Sequence, residues 1–228
     1  MPSSQRRIWH EYPDVDLLYQ HAVEAIERIA AVAIAKQGVF SIVLAGGSTP
    51  RAIYQRLCRI QTDWRAWHVY FGDERCLPVD DPERNSVMAD QAWLLHVPIL
   101  PSQIHRIPAQ LGAEAAALHY QEALARVGIF DLVLLGLGQD GHTASLFPGQ
   151  EWGGDNTRPS VLAVHNAPKP PSDRVSLSAW RLSRTRHAWF LVTGQDKAEA
   201  IRLWRAQVEI PAASISPDSG VDIWMTGL

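Results

Sequence analysis

Apolar residues recur along this chain in two alternating periods. Leu17, Leu18, Ala22, Ala25, Ile26, Ile29 and Val32, with His21 beside them, keep helical spacing; Asp14 is placed to cap the helix and Gly38 to stop it. Residues 39–45 are apolar apart from Ser41, the pattern of a strand buried on both faces. Gly46-Gly47-Ser48-Thr49-Pro50 turns that strand into a helix predicted over 50–59, with proline near its first position. Further strands are predicted over 67–71, 131–137, 161–164, 174–177, 187–193 and 221–225, and further helices over 85–95, 113–127 and 195–207. Strands alternating with helices at this spacing predict a mostly parallel sheet covered on both faces. No repeat or low-complexity linker divides the 228 residues, so the expectation is a single α/β domain over 1–228. Residues 149–159, the least regular stretch, read as a mobile surface loop, with Trp152 the one tryptophan placed to act as a lid.

In such a sheet the ligand sits at the carboxyl ends of the strands. Four turns follow predicted strands: Gly46-Gly47-Ser48, Gly72-Asp73-Glu74-Arg75, Gly138-Gln139-Asp140-Gly141-His142 and Gly194-Gln195-Asp196-Lys197. They are expected to converge on one edge.

Composition narrows the partners. With a net charge of −3 and no basic block, neither nucleic acid nor an anionic membrane surface is an expected partner, so an anionic ligand needs a local pocket of cations. Cys58 and Cys76 are too few for a disulfide framework, which fits a reducing compartment, and the cytoplasm is the expected location. The polar segment from Met1 to His10 lacks the apolar core of a secretion signal, and no run approaches the length of a membrane span.

Glycines at 46 and 47 let the backbone approach an anion, and the helix end that follows offers unpaired N–H groups, with the hydroxyls of Ser48 and Thr49 as further donors. A tight turn with Ser48 or Thr49 as helix cap accounts for the same residues equally well. Arg174 can supply a planar fork of donors and Lys197 a point charge. His142 is the best general-base candidate, because imidazole accepts a proton near neutral pH and Asp140, two residues away, can orient it or a substrate hydroxyl. Its glycine-rich setting separates it from His10, His68, His96 and His119, which read as surface positions without partners. Asp73 and Glu74 form an acid pair, a metal site or, with Arg75, a self-neutralising cluster, and Arg75 favours the last. No second histidine stands at ligand spacing, so no metal is predicted. No Gly-x-Ser-x-Gly elbow occurs and neither cysteine sits in a turn near a histidine, which disfavours covalent catalysis.

Five segments together resemble the 6-phosphogluconolactonase family: Leu44 to Pro50; Phe71 to Arg75 with Asp81, Asn85 and Ser86; Gly136 to Pro148; Arg174 to Ser178; and Thr193 to Lys197. The resemblance implies a Rossmann-like three-layer α/β/α sandwich, hydrolysis of 6-phospho-D-glucono-1,5-lactone to 6-phosphogluconate, and no cofactor. It implies His142 as the catalytic histidine, with Asp73 and Asp140 as acids of the same site. Gly46, Gly47, Ser48, Thr49, Arg75, Arg174 and Lys197 fall around the phosphorylated sugar lactone. Glucosamine-6-phosphate deaminases share a similar Asp-Gly-His motif but place a glutamate five residues after the histidine; here that position is Phe147, which exchanges no protons. Ser176 and Ser178 stand where threonines are commoner. A sugar-phosphate sensor is the other class considered, and a single helix before the first predicted strand leaves it no DNA-binding module. A monomer or small homo-oligomer is expected.

Overall fold

The computed structural model describes residues 5–227. Seven parallel strands form the main sheet: β1 (Arg7–Glu11), β2 (Phe40–Leu44), β3 (Trp67–Phe71), β5 (Ile104–His105), β6 (Phe130–Gly136), β9 (Thr185–Thr193) and β10 (Val221–Thr226). They stand in the order β1-β10-β9-β6-β2-β3-β5. Asp14 caps helix α1 (Val15–Gln37), accepting from the Leu17 N–H at 2.8 Å, and Gly38 closes it. Between the strands lie α2 (Ser48–Leu57), α3 (Asn85–Ala92), α4 (Ala113–Leu124), α5 (Ala179–Ser183) and α6 (Ala198–Arg205). α1 packs on α2 and α2 on α3; the strand order advances one way through α1, α2 and α3 and the other way through α4, α5 and α6, which for the general right-handed crossover puts the two sets on opposite faces. This is the expected α/β/α sandwich. Among the described residues no helix is long and apolar enough to cross a membrane.

From β2 the chain steps outward to β3 and β5, then returns to β6 on the opposite side of β2. The direction of winding therefore reverses between β2 and β6, which opens a crevice at their carboxyl ends. Both strands are buried almost throughout, and Ile42 pairs with Leu132 and Val43 with Val133 across the switch. Two tyrosines brace the strand ends. Tyr54 of α2 donates to the Ala45 carbonyl and accepts from the Ala45 N–H, and Tyr120 of α4 does the same at Phe71. Burial pushes both phenols well above the ordinary range, so each stays protonated and can do both.

The elements missed by pattern are short or polar. β1 lies in the polar amino-terminal stretch and adds an edge strand beside β10; it precedes α1, so a helix is not the first element. β4 (Asp73–Arg75), expected as a turn, instead joins β8 (Arg174–Leu177) and β7 (Val161–Val164) in a separate antiparallel sheet ordered β4-β8-β7. The 149–159 segment is tied down: the Ala179 and Trp180 N–H groups donate to the Trp152 and Gly153 carbonyls, and the Trp152 indole donates to the Phe147 carbonyl at 2.6 Å. His10 and His68 have partners after all, Asp222 at 2.7 Å and His105 at 3.1 Å, supplied by neighbouring strands distant in sequence.

Candidate active site

The turn after β6 is built around its histidine. Gly141 donates to the Gly138 carbonyl and Gly138 to the His142 carbonyl, which folds the chain back so that the imidazole lies over Gly138. Only glycine fits there, because a Cβ on residue 138 would stand 2.0 Å from the His142 ring. His142 Nδ1 meets Asp140 Oδ1 at 2.5 Å, and the same oxygen accepts from the His142 N–H at 3.1 Å. Burial pushes the Asp140 carboxyl up, yet the bonds from His142 outweigh it and hold the group below the usual carboxylate range. Asp140 is thus an anion that orients the ring. Against the ring packs Phe147, its centroid 4.9 Å away and its side chain buried.

The small sheet delivers the rest. Strand alternation separates the three charged residues of β4: Asp73 and Arg75 face the crevice, while Glu74 is fully buried behind it. Glu74 accepts from the Asn85 and Ser86 N–H groups at 2.7 and 2.9 Å, capping α3, and sits 3.4 Å from Arg84. The expected acid pair or self-neutralising cluster is therefore not formed. Asp73 accepts from Ser145 Oγ at 2.7 Å and from Asn85 Nδ2 at 3.1 Å. Arg75 lies directly opposite Arg174 in the ladder. Such like-charged neighbours repel unless an anion sits between or near them. Burial, opposed by Asp73 and reinforced by Arg75, lowers the Arg174 pKa from its usual value, and the guanidinium leans 5.6 Å over Phe147.

These groups line a cavity of about 230 Å³ with Ala45, Gly46, Gly47, Gly136 to Gly138, Asn85, Lys169 and Lys197. Among the described residues its charged lining is Arg75, Lys169, Arg174 and Lys197 against Asp73, the local cation pocket that the acidic chain requires for an anion. Lys197 Nζ shares its charge with Asp196 at 2.8 Å, and Gln139 donates to the same carboxylate, joining two of the turns. Of the predicted site residues, Ser48, Thr49 and Asp140 lie outside the lining; Asp140 acts on it only through the His142 ring, and Thr49 is buried, with its hydroxyl 2.7 Å from that of Thr193. Trp152 also stands elsewhere, beside a different cavity. Lys169 and Asn85 were not singled out as site residues. Nothing in the residues around Lys169 marks the proline-rich connector as a site, whereas Asn85 stands among the segments that carry the family resemblance; its fit against the turn is close, since a Cβ on Gly46 would fall 2.1 Å from its side-chain oxygen. Among the described residues no three His, Cys, Asp or Glu side chains gather as metal ligands would.

A doubly wound α/β sheet with a histidine and a cation pocket at its switch point defines a protein of the class that binds small phosphorylated or otherwise anionic metabolites at strand ends. The match to a family model covers residues 13–224, and the chain belongs to the glucosamine-6-phosphate isomerase/6-phosphogluconolactonase family. The 6-phosphogluconolactonase of Streptomyces coelicolor is 36% identical over 221 residues, covering 88% of this chain and 84% of that one. The crystal structure of 6-phosphogluconolactonase from Thermotoga maritima covers 98% of this chain and 100% of its own with a TM-score of 0.88 at 24% identity, a likeness of fold. A monomeric glucosamine-6-phosphate deaminase covers 96% of this chain and 97% of its own with a TM-score of 0.82 at 21% identity. The fold therefore does not separate the two activities, and the site must.

Proposed function

We propose that this chain hydrolyses 6-phospho-D-glucono-1,5-lactone to 6-phospho-D-gluconate. The observation that carries the reading is the setting of the His142 ring, held by the Asp140 carboxylate on one side and packed on Phe147 on the other. A ring-opening deaminase needs an acid at position 147; a phenyl ring leaves the imidazole as the one proton carrier beside it. The sequence likeness to the named Streptomyces lactonase supports the same reading.

In the proposed mechanism the phosphate binds Arg174, Lys197 and Lys169 with the N–H groups at the amino end of α2, and this remote binding energy places the lactone carbonyl near His142. His142 takes a proton from water as the water oxygen bonds to the carbonyl carbon. The tetrahedral intermediate then collapses, the bond to the ring oxygen breaks, and the imidazolium returns its proton to that oxygen. Asp140 stays ionised and stabilises the imidazolium. The N–H groups of Gly138, Gly141 and His142 are already engaged within the turn. Arg75, whose charged side chain lines the cavity, is the further candidate donor to the oxyanion beside the Gln139 and Asp140 N–H groups. Asp73, with both carboxylate oxygens engaged, balances the arginines and holds Asn85 and Ser145.

The reaction is tested by acid release from freshly generated lactone beside ammonia release from glucosamine 6-phosphate. Rapid acid release without ammonia is expected; ammonia release would overturn the reading.

A further inference from the structure

The connector between β7 and β8 carries Lys169 and is held from two directions. Inside, Arg174 donates to the carbonyls of Lys169, Pro170 and Pro171 at 3.0 to 3.2 Å, which ties the guanidinium that lines the pocket to the loop that presents Lys169. Outside, the loop closes one step beyond the last ladder pair, Val164 with Arg174. There His165 Nδ1 meets Asp173 Oδ1 at 3.0 Å, and its Nε2 meets Glu114 Oε1, in the first turn of α4, at 2.6 Å. The Ala167 N–H donates to the Ser172 carbonyl within the loop. Neither His165 nor its two acids line the pocket.

We propose that His165 is a positioning residue for the phosphate end of the site: its bridge between Glu114 and Asp173 clasps the 165–173 loop to α4 and so places Lys169 and Arg174. This rests on the phosphosugar reading above. Both ring nitrogens face carboxylates, so the clasp is complete only when both carry protons. The bonds to Asp173 and Glu114 raise the imidazole pKa against a small opposing effect of burial. The third group nearby, Cys76 at the end of β4, bonds through its N–H to the Asp173 carbonyl. Its thiol is pushed up to about 11, chiefly by burial, and is neutral where His165 titrates. Because the folded-state pKa lies above the ordinary value, the clasp is closed at lower pH and loosens as pH rises through it.

The pairs are exposed, so the effect is modest. At about pH 6, His165→Ala is expected to weaken binding of inorganic phosphate by about three- to tenfold and to raise KM by the same factor with kcat unchanged. The ratio of variant to unmodified chain should fall toward one as pH rises, because the unmodified chain then loses its own clasp; taking the ratio cancels titration of the phosphate itself. His165→Lys, which keeps the charge, should recover part of the loss, and in a Lys169→Ala background the loss caused by His165→Ala should shrink to the part that acts through Arg174. Equal phosphate affinities at pH 6, or a deficit that does not vary with pH, would overturn the clasp. If the unmodified chain binds phosphate but releases no acid from the lactone, the reaction assigned above falls while the phosphate titration still decides the clasp.

Discussion

At the scale of single residues, the site depends on atoms that must be absent as much as on those present. His142 reaches the cavity because residue 138 has no side chain, and its ring is held by one carboxylate and one phenyl face. His142→Ala is expected to lower kcat by about 10² to 10⁴ with little change in KM, the loss of a placed general base. Gly138→Ala should mimic it without touching a reactive group, since the added methyl displaces the imidazole; kcat should fall at least tenfold, about 1.4 kcal/mol of barrier, while the fold, followed by circular dichroism, is retained. A Gly138→Ala protein of normal turnover would show that the observed ring position is not the reactive one.

At the scale of elements, the antiparallel β4-β8-β7 sheet supplies what the main sheet lacks. The parallel strands bring glycine turns and a histidine to the crevice; the small sheet sets Arg75 opposite Arg174 and places Asp73 beside them. Arg174 uses three donor directions to hold the connector carbonyls while presenting charge to the cavity. Lysine keeps the charge and loses the fork, so Arg174→Lys is expected to raise KM by about tenfold, more than it lowers kcat. Steady-state kinetics on the lactone would check this, and a fall in kcat alone would contradict it.

At the scale of the whole molecule, pH couples to stability through histidines remote from the cavity. Burial lowers the pKa of His105, helped by His68, and burial lowers that of His187 against the pull of Asp222 and Asp131. Both rings are better proton acceptors in the unfolded chain, so their contribution to stability is present above the ordinary histidine pKa of about 6.5 and is lost as pH falls below it. His165, shifted upward, acts in the opposite sense but is exposed. The urea midpoint should therefore be lower at about pH 5 than at pH 7, and the double variant His105→Gln/His187→Gln should flatten the dependence. A midpoint independent of pH in the unmodified chain would refute this assignment.

The periodicity of the chain determined the longer helices, though not α5, together with the buried strands and the edge on which the glycine turns meet, because helical and extended segments bury their apolar faces in ways that neighbouring residues already encode. The ring of His142 and its partner Asp140 were readable for the same reason: two residues apart in one turn, they interact locally. Three things were not readable. Glu74 and Asp73 look like a pair, and only the register of a three-residue strand sends them to opposite faces. Lys169 reaches the cavity from a connector whose own residues carry no mark of a site. Ser48 and Thr49 carry the right hydroxyls, but the start of α2 turns one of them onto Thr193. Sequence specifies what each segment can offer locally; the tertiary fold decides which side chains share a cavity, since that depends on strand order, register and crossover hand rather than on any neighbour in the chain.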